Sequence, residues 1–267
     1  MSRELVAVAA TAAQLGGEVV RGYFRRLPPG DPSEKARNDW VSSADRASEE
    51  AIRQFLHAHT PAFGLLAEEG GAQGVEGRHW VVDPLDGTLN FIRGFPHFAV
   101  SVALVDGGEV EVGAIYDPVR DELYTARRGG GARCNGTALR VTGRPGLAGA
   151  FITTGFPFRV YRHLDTFLAV FREVFLRVAA LRRPGAASLD LAHTAAGIFD
   201  GFFEFCLSSW DIAAGALLVR EAGGVVSDLD GGPDVLTHGN VVGASPGVHR
   251  ELLEVIGRVC RDEQIRP

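Results

Sequence analysis

Residues 79–91 read HWVVDPLDGTLNF and combine an apolar strand, two aspartates and a sharp turn. The strand delivers Asp83 at its end, and we expect Pro84 to stop the pairing there because proline has no N–H to donate. Asp86 follows three positions after Asp83, and Gly87-Thr88 turns the backbone, which leaves several N–H groups free. Carboxylates bind hard cations, and free backbone N–H groups bind anions. The stretch therefore predicts a site for a metal-bound phosphate.

The composition does not argue against a small anionic ligand bound through metal. The chain has 267 residues, 46% of them hydrophobic, and a formal net charge of −6, which argues mildly against nonspecific binding to nucleic acid. Its three cysteines, Cys134, Cys206 and Cys260, form neither a zinc pattern nor a disulfide framework, so we expect reduced thiols in a cytoplasmic protein. No apolar stretch approaches the roughly 20 residues needed to span a bilayer.

The pattern of apolar residues predicts an α+β fold. Helices are predicted over residues 2–26, from Ser43 or Asp45 to about His59, and over 164–176, 188–196, 211–222 and from Pro246 onward. Strands are predicted over 63–67, 81–82, 150–154, 202–206, 225–226 and 241–242, with an antiparallel meander through residues 100–125. We treat 1–267 as a single domain, with one half over 1–145 and the other over 146–267.

Acidic residues at the ends of predicted elements are the candidate functional groups. They are Asp45, Glu68, Asp83, Asp86 and Asp211. Structural alternatives exist for three of them: Asp45 and Asp211 could cap helices, and Glu68 could be an ordinary loop residue. Asp83 and Asp86 are harder to explain structurally, because two neighbouring carboxylates repel each other unless a cation or a proton separates them.

Four separated motifs give the chain a resemblance to the inositol monophosphatase family. Residues 83–88, DPLDGT, resemble the family signature D-P-[IL]-D-G-T, and residues 67–69 match its G-E-E segment upstream. Residues 210–215 and 221–224 match the segment W-D-x-A-A-G…E-A-G-G, and residues 35–45 fit the early lysine and D-x-V-[TS]-x-x-D pattern. The resemblance implies a layered αβαβα sandwich of the inositol monophosphatase/fructose-1,6-bisphosphatase type.

The resemblance also implies a set of metal ligands. Glu68, Asp83 and the carbonyl of Leu85 would hold one Mg²⁺, while Asp83, Asp86 and Asp211 would hold a second. Glu68 would also bind a weaker third ion. Ligands that are all oxygen suit Mg²⁺, with Mn²⁺ as a possible substitute. Sensitivity to Li⁺ is implied by the same resemblance.

The resemblance further assigns catalytic and substrate contacts. The Thr88 hydroxyl, hydrogen-bonded to Asp45, would orient a water molecule activated by the metals, and the N–H groups of Gly87 and Thr88 would bind phosphate. Glu204, the N–H of Ala187, Asp86 and Asp211 would contact the substrate. A hydroxyl residue of the family pattern is replaced by alanine at position 186. Lys35 could lie at the edge of the site or on the surface, and Arg182-Arg183 could form a salt bridge or a dimer contact.

These residues together predict a Mg²⁺-dependent inositol-phosphate phosphatase, a phosphoric monoester hydrolase. The expected reaction converts myo-inositol 1-phosphate to myo-inositol and phosphate. Histidinol phosphate, fructose 1,6-bisphosphate and 3′-phosphoadenosine 5′-phosphate are alternative substrates, since relatives with the same metal core hydrolyse them. A role in transcription antitermination through a protein partner is a further alternative. The resemblance also implies a homodimer.

Overall fold

The structure, a computed structural model, describes residues 2–157 and 161–262. Its helices are α1 Ser2–Tyr23, α2 Ser43–His59, α3 Thr88–Ile92, α4 Leu164–Phe175, α5 Ala187–Ala195, α6 Ser209–Glu221, α7 Val235–His238 and α8 Pro246–Asp262. A short 3-10 turn, Tyr161–His163, precedes α4.

The strands form three sheets. A two-stranded hairpin consists of β1 Ser33–Ala36 and β2 Asp39–Val41. The largest sheet contains β3 Gly64–Ala67, β4 Gly71–Gln73, β5 His79–Asp86, β6 Ala99–Asp106, β7 Glu109–Asp117, β8 Glu122–Arg127, β9 Gly131–Cys134 and β10 Thr137–Ala138. The other sheet contains β11 Phe151–Thr154, β12 Ala180–Arg182, β13 Gly201–Glu204, β14 Val225–Ser227 and β15 Val241–Ala244.

The large sheet has the order β10-β9-β8-β7-β6-β5-β3-β4, in which β3 and β5 run parallel and the other neighbours antiparallel. The five-stranded sheet has the order β12-β11-β13-β15-β14, with β11 parallel to both of its neighbours. The predicted meander from β6 through β8 is confirmed. Parallel β3 and β5 both end at the same edge of the large sheet, so Glu68, directly after β3, is brought beside Asp83.

Three apolar clusters hold five layers together, and the cluster that contains α5 and α6 extends to both sheets. The first lies between the α1–α2 pair and one face of the large sheet, and the second between the other face and the α5–α6 pair. The third packs α4 and α8 against the five-stranded sheet. Each helix pair therefore buries its apolar face against a sheet, and the α5–α6 pair lies between the two sheets. The predicted αβαβα sandwich is confirmed. No helix in the described ranges is both long and apolar enough to cross a membrane.

Several predicted boundaries were wrong for identifiable reasons. The first helix ends at Tyr23 rather than at residue 26, and the N-cap of α2 is Ser42 rather than Ser43 or Asp45. Pro84 does not end β5, because pairing with β6 resumes at Asp86 beyond an irregularity. The hairpin β1–β2 was not predicted, since β1 is exposed along its whole length and shows no apolar alternation.

Candidate active site

A break in the register of β5 places Asp83 and Asp86 together. Side chains three positions apart on a regular strand point to opposite faces of the sheet. Asp83 pairs with Ser101 and Asp86 with Ala99, so β5 uses three steps where β6 uses two, as in a β-bulge. The backbone N–H of Leu85 donates to Asp83 Oδ1 at 2.9 Å and stabilises the bulged segment. The two carboxylates therefore lie on the same side.

Two more carboxylates lie at helix N-termini, each at the N3 position of a capping box. Asp45 accepts a hydrogen bond from the backbone N–H of Ser42 at 2.8 Å, and Asp211 accepts one from the N–H of Ser208 at 2.8 Å. Each bond engages Oδ2 of the aspartate, and the positive end of the helix dipole favours its negative charge. The capping and functional interpretations therefore do not exclude each other, because Asp45 Oδ1 also lies 2.9 Å from the Thr88 hydroxyl oxygen and Asp211 also lines the cleft.

Three of these carboxylates form a compact cluster. Oxygens of Asp83, Asp86 and Asp211 all lie within 4.8 Å of one another, and all three side chains are buried. Burial, together with repulsion from Glu68, Asp86 and Asp211, raises the pKa of Asp83 well above its usual value. The cluster contains neither histidine nor cysteine. A buried, oxygen-only set of mutually repelling carboxylates fits a hard cation such as Mg²⁺, because the cation removes the repulsion.

Glu68 is adjacent to this cluster but is not one of its three members. Lys35 Nζ, on the β1–β2 hairpin, lies 2.9 Å from Glu68 Oε1, 2.6 Å from Glu69 Oε1 and 3.8 Å from Asp39 Oδ1. Burial, partly offset by Lys35, raises the pKa of Glu68 to about 7. Burial lowers the pKa of Lys35, but the two glutamates outweigh it and leave that pKa above its usual value. Lys35 therefore lies at the edge of the site, where it pairs with a predicted metal ligand.

Thr88 occupies the turn that follows Asp86. Its hydroxyl oxygen lies 2.9 Å from Asp45 Oδ1 and 2.9 Å from the carbonyl oxygen of Leu85. Burial raises the pKa of Asp45 to about 6, against the hydrogen bonds from Ser42 and Thr88. Gly87 has φ +88, and an added Cβ would lie 3.0 Å from the carbonyl oxygen of His97, so both the backbone conformation and the space favour glycine.

Asp86 connects the two halves of the chain. Its Oδ2 accepts a hydrogen bond from the backbone N–H of Ser188 at 2.7 Å and another from the Ser188 hydroxyl. Ser188 is the second residue of α5, whose N-cap, Ala186, makes no side-chain cap hydrogen bond. An aspartate from the first half thus caps a helix of the second, at the turn where the family pattern has a hydroxyl residue.

The remaining predicted residues line a cleft of about 250 Å³ above the carboxylate cluster. Ala187 begins α5, and Glu204 ends β13 with its side chain buried beside Gly155, where a Cβ would have no room. Burial, reinforced by Asp190, raises the pKa of Glu204 well above its usual value. Arg183 also lines the cleft, with its guanidinium 5.4 Å from the ring centre of Phe156, and Arg182 lies 5.0 Å from the ring centre of Phe151.

Sequence reasoning missed Ser42, Ser188 and Asn90. The Asn90 side chain donates to the carbonyl oxygens of His97 and Pro184, both at 2.9 Å, and so connects the turn to the second half. Ser42 could have been found, because its spacing of three from Asp45 is that of a capping box. The contacts of Ser188 and Asn90 between the two halves give no local signal, since they join residues 102 and 94 positions apart along the chain.

An αβαβα sandwich with carboxylates clustered where strands and helices meet is the arrangement of inositol monophosphatase-type phosphatases. The chain belongs to the inositol monophosphatase family, whose family model matches residues 1–263. Curated relatives support this membership over nearly the whole length. The chain is 47% identical to inositol-1-monophosphatase of Mesorhizobium japonicum over 254 residues, which cover 94% of this chain and 96% of the relative. It is also 47% identical over 257 residues to Nus factor SuhB of Pseudomonas aeruginosa, covering 93% and 94%.

Solved structures agree with this assignment. Extragenic suppressor protein suhB from Bartonella henselae superposes with a TM-score of 0.89 at 41% identity, over 94% of this chain and 97% of that one. Inositol monophosphatase from Anabaena superposes with a TM-score of 0.85 at 33% identity, over 99% and 97%.

Proposed function

We propose that the protein catalyses the Mg²⁺-dependent hydrolysis of a phosphate monoester, with myo-inositol 1-phosphate as substrate and myo-inositol and phosphate as products. The observation that carries the proposal is the cluster of Asp83, Asp86 and Asp211, buried at the base of a cleft. Burying three carboxylates together is costly without a cation, and a phosphate ester is a ligand that such a cation would bind.

The chain offers ligands for two or three metal ions. In the proposal Glu68, Asp83 and the Leu85 carbonyl hold one Mg²⁺, Asp83, Asp86 and Asp211 hold the second, and Glu68 holds a weaker third. Mn²⁺ can take the same positions, because it accepts the same ligands. Bound metal would supply positive charge that stabilises the phosphate and lowers the pKa of a water molecule.

Thr88 is proposed to orient that water molecule. Its hydroxyl has one proton, which it donates to Asp45 or to the Leu85 carbonyl, since both oxygens lie at 2.9 Å. The lone pairs of the hydroxyl therefore remain available to accept a hydrogen bond from water. Asp45 holds the hydroxyl in that orientation. The N–H groups of Gly87 and Thr88 are proposed to bind the phosphate oxygens.

The substrate's hydroxyl groups are assigned to residues from both halves of the chain. Glu204, the N–H of Ala187, Asp86 and Asp211 are proposed to contact them. A polyol suits this site because its vicinal hydroxyls can donate hydrogen bonds to the buried Glu204 carboxylate, whereas an apolar group could not.

A panel of phosphate esters tests the proposal. With Mg²⁺ we expect kcat/KM for inositol 1-phosphate to exceed that for p-nitrophenyl phosphate, and we expect Li⁺ to inhibit. The panel includes histidinol phosphate, fructose 1,6-bisphosphate and 3′-phosphoadenosine 5′-phosphate. If inositol phosphates were turned over no faster than the aryl phosphate, the specific substrate assignment would fail while the phosphatase assignment stood.

We also propose that the protein works as a homodimer in the cytoplasm. Helix α4 and the residue after it expose large apolar side chains, with Phe175 58% and Leu176 62% exposed, which favours a covering partner. The reduced thiols of Cys134, Cys206 and Cys260 suit a reducing compartment. Light scattering coupled to size-exclusion chromatography checks the dimer.

A second candidate function rests on the relatives named Nus factor SuhB, which include one at 47% identity over 257 residues. In this hypothesis the chain also takes part in transcription antitermination by binding a protein partner, without direct contact to nucleic acid. Asp86→Asn separates the two functions. Loss of phosphatase activity with the cellular effect retained would support the partner role, whereas loss of both would tie that effect to the metal site.

A further inference from the structure

One face of α2 carries three buried polar side chains, and each of them holds a different segment of the candidate active site. Asp45 accepts from the Thr88 hydroxyl at 2.9 Å, and Ser48 Oγ donates to the carbonyl oxygen of Pro84 at 2.8 Å. Glu49 Oε2 accepts from the backbone N–H of Glu69 at 2.8 Å. Positions separated by three and four residues lie on the same face of a helix. The helix therefore contacts the turn, the bulge and the loop after β3 from one rigid body.

Neither Ser48 nor Glu49 takes part in the proposed reaction, and Glu49 is the one of the two that has a carboxylate. Its side chain is buried, and both of its oxygens face the loop that follows Glu68. Burial raises the pKa of Glu49, while hydrogen bonds from the N–H groups of Glu69 and Gly70 oppose that rise. The carboxylate thus accepts a hydrogen bond from the N–H of Glu69 through one oxygen, and its other oxygen faces Gly70.

Gly70 gives independent support for this contact. An added Cβ at position 70 would lie 2.7 Å from Glu49 Oε1, so the carboxylate occupies the space of a side chain. Gly70 is not among the glycines with positive φ, so its backbone conformation is open to other residues. Glycine at this position is explained by the approach of Glu49 rather than by backbone conformation.

The loop needs such a contact because Glu68 lies just beyond the sheet. The N–H of Glu68 donates to the carbonyl oxygen of Val82 at 3.2 Å, and the following residues turn back into β4. The contact of Lys35 with the loop comes from the partly exposed β1–β2 hairpin. Glu49 provides the contact from the packed interior. A ligand held on a mobile loop would lose conformational entropy on binding a metal, and an anchor removes that cost beforehand.

We propose that Glu49 is a positioning residue that fixes the Glu68–Gly70 loop and thereby presents the Glu68 carboxylate to the metal. This inference rests on the proposed function, because the role of Glu68 as a ligand belongs to that function.

The test uses the full chain and the variant Glu49→Gln, with Glu50→Gln as its matched control. Glu50 is the next residue on α2, is exposed and pairs with Arg53. Glutamine keeps the shape of Glu49 but replaces one acceptor oxygen by a donor group, which would face a loop N–H. We expect calorimetric titration with Mn²⁺ to show affinity weakened about tenfold in Glu49→Gln. Hydrogen exchange at Glu69 and Gly70 should accelerate in the same variant, and Glu50→Gln should match the wild type in both measurements.

Gly70→Ala tests the same contact from the other side and leaves the charge of Glu49 in place. Its control is Gly77→Ala, because an added Cβ at Gly77 meets no atom within 4 Å and Gly77 does not have positive φ. We expect Gly70→Ala to reproduce the Mn²⁺ and exchange effects. If both substitutions break one contact, the double variant should bind Mn²⁺ no more weakly than the weaker single variant.

The outcomes separate the two proposals. Wild-type affinity for Mn²⁺ in folded Glu49→Gln and Gly70→Ala would overturn the positioning role and leave the metal site intact. If Glu49→Gln fails to fold, Gly70→Ala decides alone. A wild-type protein that binds no Mn²⁺ would overturn the proposed function and, with it, the role given to Glu49.

Discussion

The two walls of the cleft differ in how firmly their polar groups are fixed. On the wall built from residues before 145, Asp45 accepts hydrogen bonds from the N-cap of its own helix and from Thr88, and a backbone N–H of the bulge itself holds Asp83. The opposite wall presents small residues, Ala186 and Ala187, and one large carboxylate, Glu204, which lies against a glycine.

The contrast between the walls corresponds to the difference between the proposed reaction and its substrate specificity. A phosphoryl group is the same in every phosphate monoester, so the groups that bind it gain from rigid placement. The rest of the substrate varies, and a wall of small side chains can be reshaped by few substitutions. In the proposed function the first wall would therefore determine which bond is cleaved, and the second would determine which molecule carries it.

The largest effect is expected from Asp83→Asn, at the centre of the wall built from residues before 145, here called the rigid wall. Loss of the ligand that the proposed function assigns to both metals should reduce kcat/KM by roughly a thousandfold, which corresponds to about 4 kcal/mol. The same substitution removes one repelling charge, so the metal-free protein should become more stable to heat. Steady-state kinetics and thermal unfolding in EDTA measure the two effects.

Asp106→Asn is the control for Asp83→Asn, because Asp106 pairs with Arg78 at the far end of neighbouring β6. It should leave kcat/KM and metal-free stability close to wild type. An Asp83→Asn protein that is both inactive and less stable in EDTA would show that Asp83 serves the fold rather than a cation.

The stability of the metal-free protein should fall as the pH rises from 6.5 to 8.5. Burial raises the pKa of Glu68 to about 7 and the pKa of Asp83 well above its usual value, so the folded state retains protons that the unfolded state has released. Raising the pH removes those protons at the expense of the folded state, on the order of 2 kcal/mol. Urea denaturation in EDTA at several pH values measures the effect.

Saturating Mg²⁺ should remove much of this pH dependence, because a cation stabilises the ionised carboxylates. Burial lowers the pKa of His193 to about 4 in the folded state, and loss of the proton of this histidine in the unfolded state raises stability by only about 0.4 kcal/mol across the window. A metal-free stability that rose across the window would mean that ionisation of the carboxylate cluster does not destabilise the folded state.

Thr88→Val should lower kcat by roughly a hundredfold with little change in Mn²⁺ affinity. Valine nearly keeps the volume of threonine but cannot accept a hydrogen bond from water or donate one to Asp45. Steady-state kinetics with calorimetric titration separate the two quantities. Thr88→Ser keeps the hydroxyl and is expected to retain most activity, and equal losses in both variants would assign Thr88 a packing role instead.

The sequence predicted the rigid wall better than the wall of Ala186, Ala187 and Glu204, here called the adjustable wall. The reason is that most residues of the rigid wall lie close together in the sequence. Asp83, Asp86 and the turn at Gly87 lie within a few residues of each other, and Asp45 marks a helix start, as Asp211 does in the second half. The bulge that unites the first two was not predicted, because the sequence was expected to end pairing at Pro84, whereas the register resumes at Asp86.

Contacts between the walls could not be predicted from local pattern. The bond between Asp86 and Ser188 spans 102 residues, and it depends on how the layers stack rather than on either segment alone. The three contacts of α2 are similar, since Glu49 gives the same local signal as exposed Glu50. Periodicity shows which face of a helix is buried, but not which loop a buried polar side chain will hold.

Glu204→Gln is expected to have the smallest effect, and it tests the adjustable wall directly. The substitution exchanges an acceptor oxygen for a donor group at the side chain proposed to bind ring hydroxyls. We expect kcat/KM for inositol 1-phosphate to fall about tenfold, as one lost hydrogen bond to a charged group would give. We expect kcat/KM for p-nitrophenyl phosphate to stay within about twofold, because that ester has no hydroxyls to bind. Equal losses with both esters would mean that Glu204 contributes to the reaction itself. The assignment of reaction to one wall and specificity to the other would then be wrong.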